Sequence, residues 1–290
     1  MARTSAVWKR NLFRHIVICS VGAALLCAQS LPLEPSRDSG ASVTGAFEGW
    51  FKNADGTFSL LLGYYNRNQK QEVDVPIGSN NQIEPGGPDR GQPTHFIPGR
   101  GWGLFAVRVP ADFGANKITW SITANGKTTV IPASLKPDYE ISPFIEAAVG
   151  NTPPVLRFEE KGPSVQGPQG LVVERTAKPE IPLLLTVWVS DDAKFTSSSG
   201  VRPKSLGPAV TLRWIKYRGP GNVTFTSDRP EVEKADRGDA PFNGKAATSV
   251  TFTEPGEYML HVTANDYSGE GGAGFQCCWT NGQVKVTVRR

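Results

Sequence analysis

The sequence predicts an all-β protein: two consecutive immunoglobulin-like antiparallel β-sandwich domains after a cleaved signal peptide. Three observations carry this reading. Beyond residue 30 the apolar residues recur with a period of two in short runs, as in Lys117-Ile-Thr-Trp-Ser-Ile-Thr123, and no stretch sustains a helical period. The 31 glycines and 23 prolines are spread between those runs, where the chain must turn. Removing 30 of the 290 residues still leaves more chain than one ordinary sandwich uses.

The first element is the leader, residues 1–30. It carries Arg3, Lys9, Arg10 and Arg14, then an apolar run from Ile16 to Leu26, then Ala28-Gln-Ser30, which is the layout of a secretory signal. The apolar run is about half the roughly twenty residues a membrane-spanning helix needs, so no stable membrane span is expected. A lipid anchor on Cys27 is disfavoured because Leu26 stands where a small residue belongs. Cleavage takes four basic and no acidic side chains, so the 31 Lys and Arg fall to 27 against 27 Asp and Glu, and the net charge of +4 falls to zero. A neutral chain has no basic face to neutralise phosphates, and no nucleic-acid partner is expected.

Residues 31–42 are rich in Pro, Ser and Gly and are expected to form a flexible leader. The first sandwich is placed at 43–141, with strand-like runs at 45–51, 57–65, 71–75, 103–109, 117–123 and 127–131. Ala124-Asn-Gly-Lys127 between the last two is a hairpin signal, since Asn-Gly accepts the positive φ angles of a tight turn. Residues 142–153 are read as a linker, and residues 154–290 as the second sandwich. Within it, 226–247 is polar and charged and is expected to be a surface excursion.

Asn151-Thr-Pro-Pro, Ser190-Asp-Asp192, the run from Trp214 through Gly-Pro-Gly-Asn to Phe225, Glu254-Pro-Gly-Glu-Tyr258 and Asn265-Asp266 occur in the order found in PKD-like modules. On these residues the second half resembles the PKD-like immunoglobulin-fold modules of cell-surface and secreted proteins. The resemblance implies a seven-stranded sandwich with Trp214 in its core and with Gly256 and Tyr258 shaping the turn into a late strand. It also implies a spacer or adhesive role and no enzymatic activity. The sequence departs from the family pattern after Asp266, where residues 267–279 insert a Gly-rich, cysteine-bearing loop. The first half resembles immunoglobulin-like domains by class alone.

Cys277 and Cys278 are the two cysteines left after cleavage. An exported pair is expected to be oxidised, yet trans-linked neighbours hold their Cα atoms about 3.8 Å apart, short of the usual disulfide range. A vicinal ring, two buried thiols and bonds to a partner chain therefore all stay open.

Two sets of side chains are candidate sites. Asp89, Arg90, His95, Arg100 and Trp102 fall in a stretch without strand periodicity, and an aromatic beside a guanidinium and an acid suits a sugar or peptide. The competing reading has Trp102 and Phe96 plugging the end of the sandwich, with Arg90 paired to Asp89. Asp191, Asp192, Asp266 and Glu270 could converge at one end of the second sandwich, where hard oxygen ligands suit calcium; as plain turn formers they would need no metal. No other cofactor is expected. Only His95 and His261 remain after cleavage, too few for a multi-histidine metal site, and no Gly-x-Ser-x-Gly nucleophile elbow occurs. The function expected is non-enzymatic binding or adhesion by a secreted or periplasmic protein, with an extracellular polysaccharide or an envelope protein as partner. A structural spacer is the rival reading, and an undetected hydrolase the third.

Overall fold

The computed structural model describes residues 34–195, 207–235, 240–271 and 277–290, and the expected signal peptide, residues 1–30, lies outside them. Residues 36–290 form one compact unit. Among the described residues its named elements are strands and a 3-10 turn at Pro137–Tyr139.

The first sandwich contains β1 (Val43–Lys52), β2 (Phe58–Asn66), β3 (Val73–Asp74), β4 (Asn81–Glu84), β5 (His95–Phe96), β6 (Gly99–Val109), β7 (Lys117–Ala124) and β8 (Lys127–Ser134). One sheet has the order β1-β2-β6, the other β4-β7-β8, and β3 pairs with β5. Alternation puts Leu60, Leu62 and Tyr64 of β2 against Ile118, Trp120 and Ile122 of β7 in one core. Trp120 buries its ring edge-on to Phe105 with centroids 5.3 Å apart, and its indole N–H donates to Asn81 Oδ1 at 2.9 Å. The Asn81 amide in turn donates to the carbonyls of Val75 and Pro93, so this buried polar hub is satisfied. The Asn-Gly hairpin forms as expected, with positive φ at both Asn125 and Gly126.

The second sandwich contains β9 (Val155–Arg157), β10 (Ser164–Gln166), β11 (Val172–Ala177), β12 (Leu183–Asp191), β13 (Thr211–Arg218), β14 (Val223–Phe225), β15 (Glu233–Lys234), β16 (Phe242–Phe252), β17 (Gly256–Asn265) and β18 (Trp279–Val288). Its sheets are β10-β9-β12-β16-β14, with β15 also on β16, and β11-β18-β17-β13. Trp214 is 1 % exposed in the core between them. Tyr258 bridges back to the carbonyl of Glu254 at 2.8 Å and lies over Gly219, fixing the turn into β17. Not every pairing is antiparallel: β11 runs parallel to β18, because the chain leaves the first sheet after β10 and enters the second beside its final strand.

Four features depart from the sequence-based reading. The leader is bound from Arg37 onward: Arg37 bridges Asn68, and Ala41 exchanges hydrogen bonds with the Asn68 side chain. The linker is folded, with Glu146 accepting from the backbone of Ala148 and Val149 and with Phe144 edge-on to Phe51 at 5.3 Å. The surface excursion is shorter than expected, since Phe242, Gly244 and Ala246 alternate with polar residues inside β16. Small residues hid that alternation. Lastly, residues 95–96 and 99–102 are strand, which breaks up the long loop expected between 85 and 102.

The two sandwiches share a buried interface. Along β17, Tyr258, Leu260, Val262 and Ala264 enter the second core, while His261 on the opposite face is fully buried and stacks on Tyr217 at 5.4 Å. Tyr217 and Ile215 of β13 belong to the first sandwich's core. Tyr217 donates its hydroxyl to the carbonyl of Gly91 at 2.6 Å, and its own carbonyl accepts from Thr94 N–H. Trp279 of β18 packs on Phe51 and Leu61. Arg218 closes the edge through a two-point pair with Asp89 at 2.8 and 2.9 Å.

Truncating a side chain that fills both a core and an interface leaves a cavity and orphans its partners. Tyr217→Ala is expected to cost about 3–5 kcal/mol, read as a lowered urea midpoint; a loss below about 1 kcal/mol would show that the interface is dispensable. Burial lowers the His261 pKa to about 4 from 6.5, with the nearby Asn281 side chain opposing the shift. The unfolded chain therefore binds the proton more tightly. This contribution is fully present above pH 6.5 and is lost as the pH falls toward 4, amounting to about 3 kcal/mol. Denaturant titrations of wild type and His261→Gln between pH 7.5 and 4.5 should converge as the pH falls, and parallel curves would refute the assignment.

Candidate functional site

The cleft between the sandwiches is framed by three aligned irregularities in the β1-β2-β6 sheet. Registers shift between Phe47 and Gly49 in β1 and between Leu62 and Tyr64 in β2. Opposite Gly63, Trp102, Gly103 and Leu104 bulge out of β6, since Gly101 pairs with Tyr64 and Phe105 with Leu62. A bulge re-aims side chains, and here it redirects Glu48 and Trp102. The chain folds this way because glycine recurs at 99, 101 and 103: Gly103 takes a φ of +45°, and Gly63 leaves room for the Glu48 carboxylate.

Trp102 is 41 % exposed, whereas Trp50, Trp120, Trp214 and Trp279 are buried. Its indole carries the Arg100 guanidinium at 4.2 Å and packs against Gly271, where a Cβ would come within 2.6 Å of the ring. Arg100 also donates to the carbonyls of Tyr64 and Gly101 and to the Glu48 carboxylate. Burial pushes the Glu48 carboxyl above its ordinary value, and the Arg100 charge opposes that rise. Arg213 and Arg229 grip Glu270 from two sides, at 3.2 and 2.7 Å, and Arg213 and Glu270 line the cleft with Trp102. The enclosed space is about 30 Å³, enough for a water or two and too small for a sugar ring. A ligand at this place has to lie across the mouth.

The expected five-residue site divides. Arg100 and Trp102 come together. Asp89 belongs to the interface pair with Arg218, whose guanidinium holds its carboxyl below the ordinary value, with Gly91 N–H assisting. Arg90 donates to the carbonyls of Pro85 and Arg108 and not to Asp89. His95 is buried on β5, with Nδ1 2.9 Å from Asp74 and Nε2 3.3 Å from Glu72, and it lines a separate groove with Lys216 and Asp228. Sequence reading missed Glu48 and Arg213, which lie far from the loop in sequence; the Gly-x-Gly-x-Gly punctuation at 99–103 was the available signal of a bulge.

The expected calcium set divides too. Glu270 faces the two arginines at the cleft. Asp191, Asp192 and Asp266 interact electrostatically with one another where β12 and β17 end. Asp266 accepts from the Asn151 amide at 2.6 Å and from the Ser268 N–H and hydroxyl. Burial raises the Asp191 pKa to about 7, with Asp266 and Asp192 adding to the rise and the Ala193 N–H opposing it. Cys277 and Cys278 are buried and joined to each other by a disulfide, which leaves neither thiol for a partner chain.

No protein-family model matches the chain, and no curated protein matches it. Solved structures similar to it include the ASH/PapD-like domain 7 of human CEP192, at 11 % identity over 52 % of this chain and 96 % of that one, with a TM-score of 0.22. A protein of unknown function from Porphyromonas gingivalis is 8 % identical over 85 % and 100 %, with a TM-score of 0.23. The CFA/I adhesin CfaE of enterotoxigenic E. coli is 9 % identical over 90 % and 82 %, with a TM-score of 0.24. None of these three is named as a PKD module, and likenesses this weak say nothing about activity or ligand. Among the described residues no helix is long and apolar enough to cross a membrane.

Removing the Glu48 carboxylate strands the partly buried Arg100. Glu48→Ala is expected to destabilise by roughly 2 kcal/mol and Glu48→Gln, which keeps an acceptor, by about half that, in denaturant titrations. Equal and negligible losses would mean that the guanidinium is held by carbonyls alone.

Proposed function

We propose that this is an exported, non-enzymatic binding protein, a PKD-like β-sandwich behind a second immunoglobulin-like sandwich, that takes an extended polysaccharide or cell-wall ligand across the mouth of the inter-sandwich cleft. The observation that carries the reading is Trp102, exposed on a bulge while the other tryptophans named above are buried. An indole face covers the apolar face of a sugar ring, and the adjoining Arg100, Arg213 and Glu270 supply donors and acceptors for hydroxyls. The small enclosed volume favours a polymer lying on the surface over an engulfed small molecule. A binding role also agrees with the histidines, both of which are buried and engaged: His95 with two carboxylates, His261 against Tyr217. Docking of an envelope protein is the second reading, supported by the shared interface, which makes the two sandwiches a stiff spacer.

Purified protein should be retained on insoluble polysaccharides or cell-wall fractions, with Trp102→Ala weakening retention roughly tenfold while the thermal midpoint stays unchanged. Retention indifferent to Trp102→Ala would move the site elsewhere. No retention on any matrix would sink the carbohydrate reading and leave a protein partner.

A further inference from the structure

Where the linker meets the second sandwich, three segments bring oxygen-bearing side chains together, buried apart from the partly exposed Asp192. The linker supplies Asn151, the end of β12 supplies Asp191 and Asp192, and the chain leaving β17 supplies Asp266. Asn151 is fully buried, and Asp191 and Asp266 are each 4 % exposed. Two oxygens in this cluster, Asn151 Oδ1 and Asp191 Oδ1, are buried and without a hydrogen-bond partner. The Asn151 amide N–H donates to Asp266 Oδ2 at 2.6 Å, which sets Asn151 beside that carboxylate. Leaving such oxygens unpaired is costly, and a native structure normally satisfies them.

We infer that Asn151, Asp191, Asp192 and Asp266 form a calcium-binding site. The donors are all hard oxygens, three carboxylates and one amide, without imidazole or thiolate, since both cysteines are in the disulfide. Among the described residues no three His, Cys, Asp or Glu side chains alone are arranged to hold a metal, so the Asn151 oxygen and backbone carbonyls have to complete the shell. Calcium tolerates such a mixed and irregular set, whereas magnesium demands a near-ideal octahedron. The charge balance points the same way. Among the described residues the positive group in contact with the cluster is the Lys194 ammonium, 3.6 Å from Asp192 and bonded to the carbonyl of Gly150, against three carboxylates. Glu270 is outside the set, because Arg213 and Arg229 hold it. A bound ion would tie the linker to the ends of β12 and β17, next to the contact of Cys278 with the Asn151 carbonyl.

The test strips the purified protein with EGTA and titrates it with CaCl2 and, separately, MgCl2, following heat of binding and the thermal midpoint. Calcium should give saturable heat with a dissociation constant on the order of 0.1–1 mM and raise the midpoint by roughly 5 °C at about 10 mM. Magnesium should give neither. Asp191→Asn and Asn151→Ala should each weaken calcium at least about tenfold, and Glu270→Gln should leave it unchanged. If the first two variants fail to fold, wild type and Glu270→Gln still decide the matter. Absence of saturable heat, an equal response to magnesium, loss of binding in Glu270→Gln, or binding that survives Asp191→Asn and Asn151→Ala would each overturn the assignment.

Discussion

The β11-β18-β17-β13 sheet has no solvent side over much of its area, and the rest of the molecule is arranged around that constraint. A strand offers alternate residues to opposite faces, and here both faces are spent on cores. Val284, Val286, Leu260 and Val262 fill the second sandwich. His261, Trp279 and Tyr217 on the opposite side meet the first sandwich or its core. Register is therefore specified twice, since a one-residue slip in β17 would drive His261 and Thr263 into the second core and leave leucine and valine at the joint.

The joint also carries polar contacts. Asn281 donates to the carbonyls of Gly103 and Pro168, Gln169 donates to Asn53, and Arg218 holds Asp89. Such pairs contribute little net stability once desolvation is counted, but each is costly to mismatch. They fix the angle at which the apolar contacts of Trp279 and Tyr217 are made. The exposure of Trp102 is a by-product of the same geometry: the bulge that accommodates Glu48 and Gly63 also brings the indole to the cleft rim, against Gly271 of the second sandwich.

Period-two alternation made the longer strands legible, β2, β6, β7, β12, β13 and β17 among them, while short strands such as β4, β10 and β11 were not, and the Asn-Gly hairpin followed from local chemistry alone. The parallel β11–β18 pairing was not legible, because strand partners far apart in sequence are chosen by tertiary packing. Residues 242–247 were misread because glycine and alanine at the inward positions carry almost no hydropathy signal. The candidate sites were half legible. Arg100 and Trp102 are neighbours in sequence and stay together, whereas Asp89 and Glu270 found partners, Arg218 and Arg213, that lie 129 and 57 residues away. Asn151 looked like part of a domain-entry motif, and only its burial sets it apart.

The pairing of β18 between β11 and β17 also constrains the order of events during synthesis. Until the segment around Trp279–Val288 has left the ribosome, β11 and β17 have no common partner, and Phe51 and Leu61 of the first sandwich lack the indole that covers them. Tyr217 is likewise missing from the first core until β13 has been made. Folding of the first half is thus completed by residues made after it, so the first sandwich is not an independent folding unit.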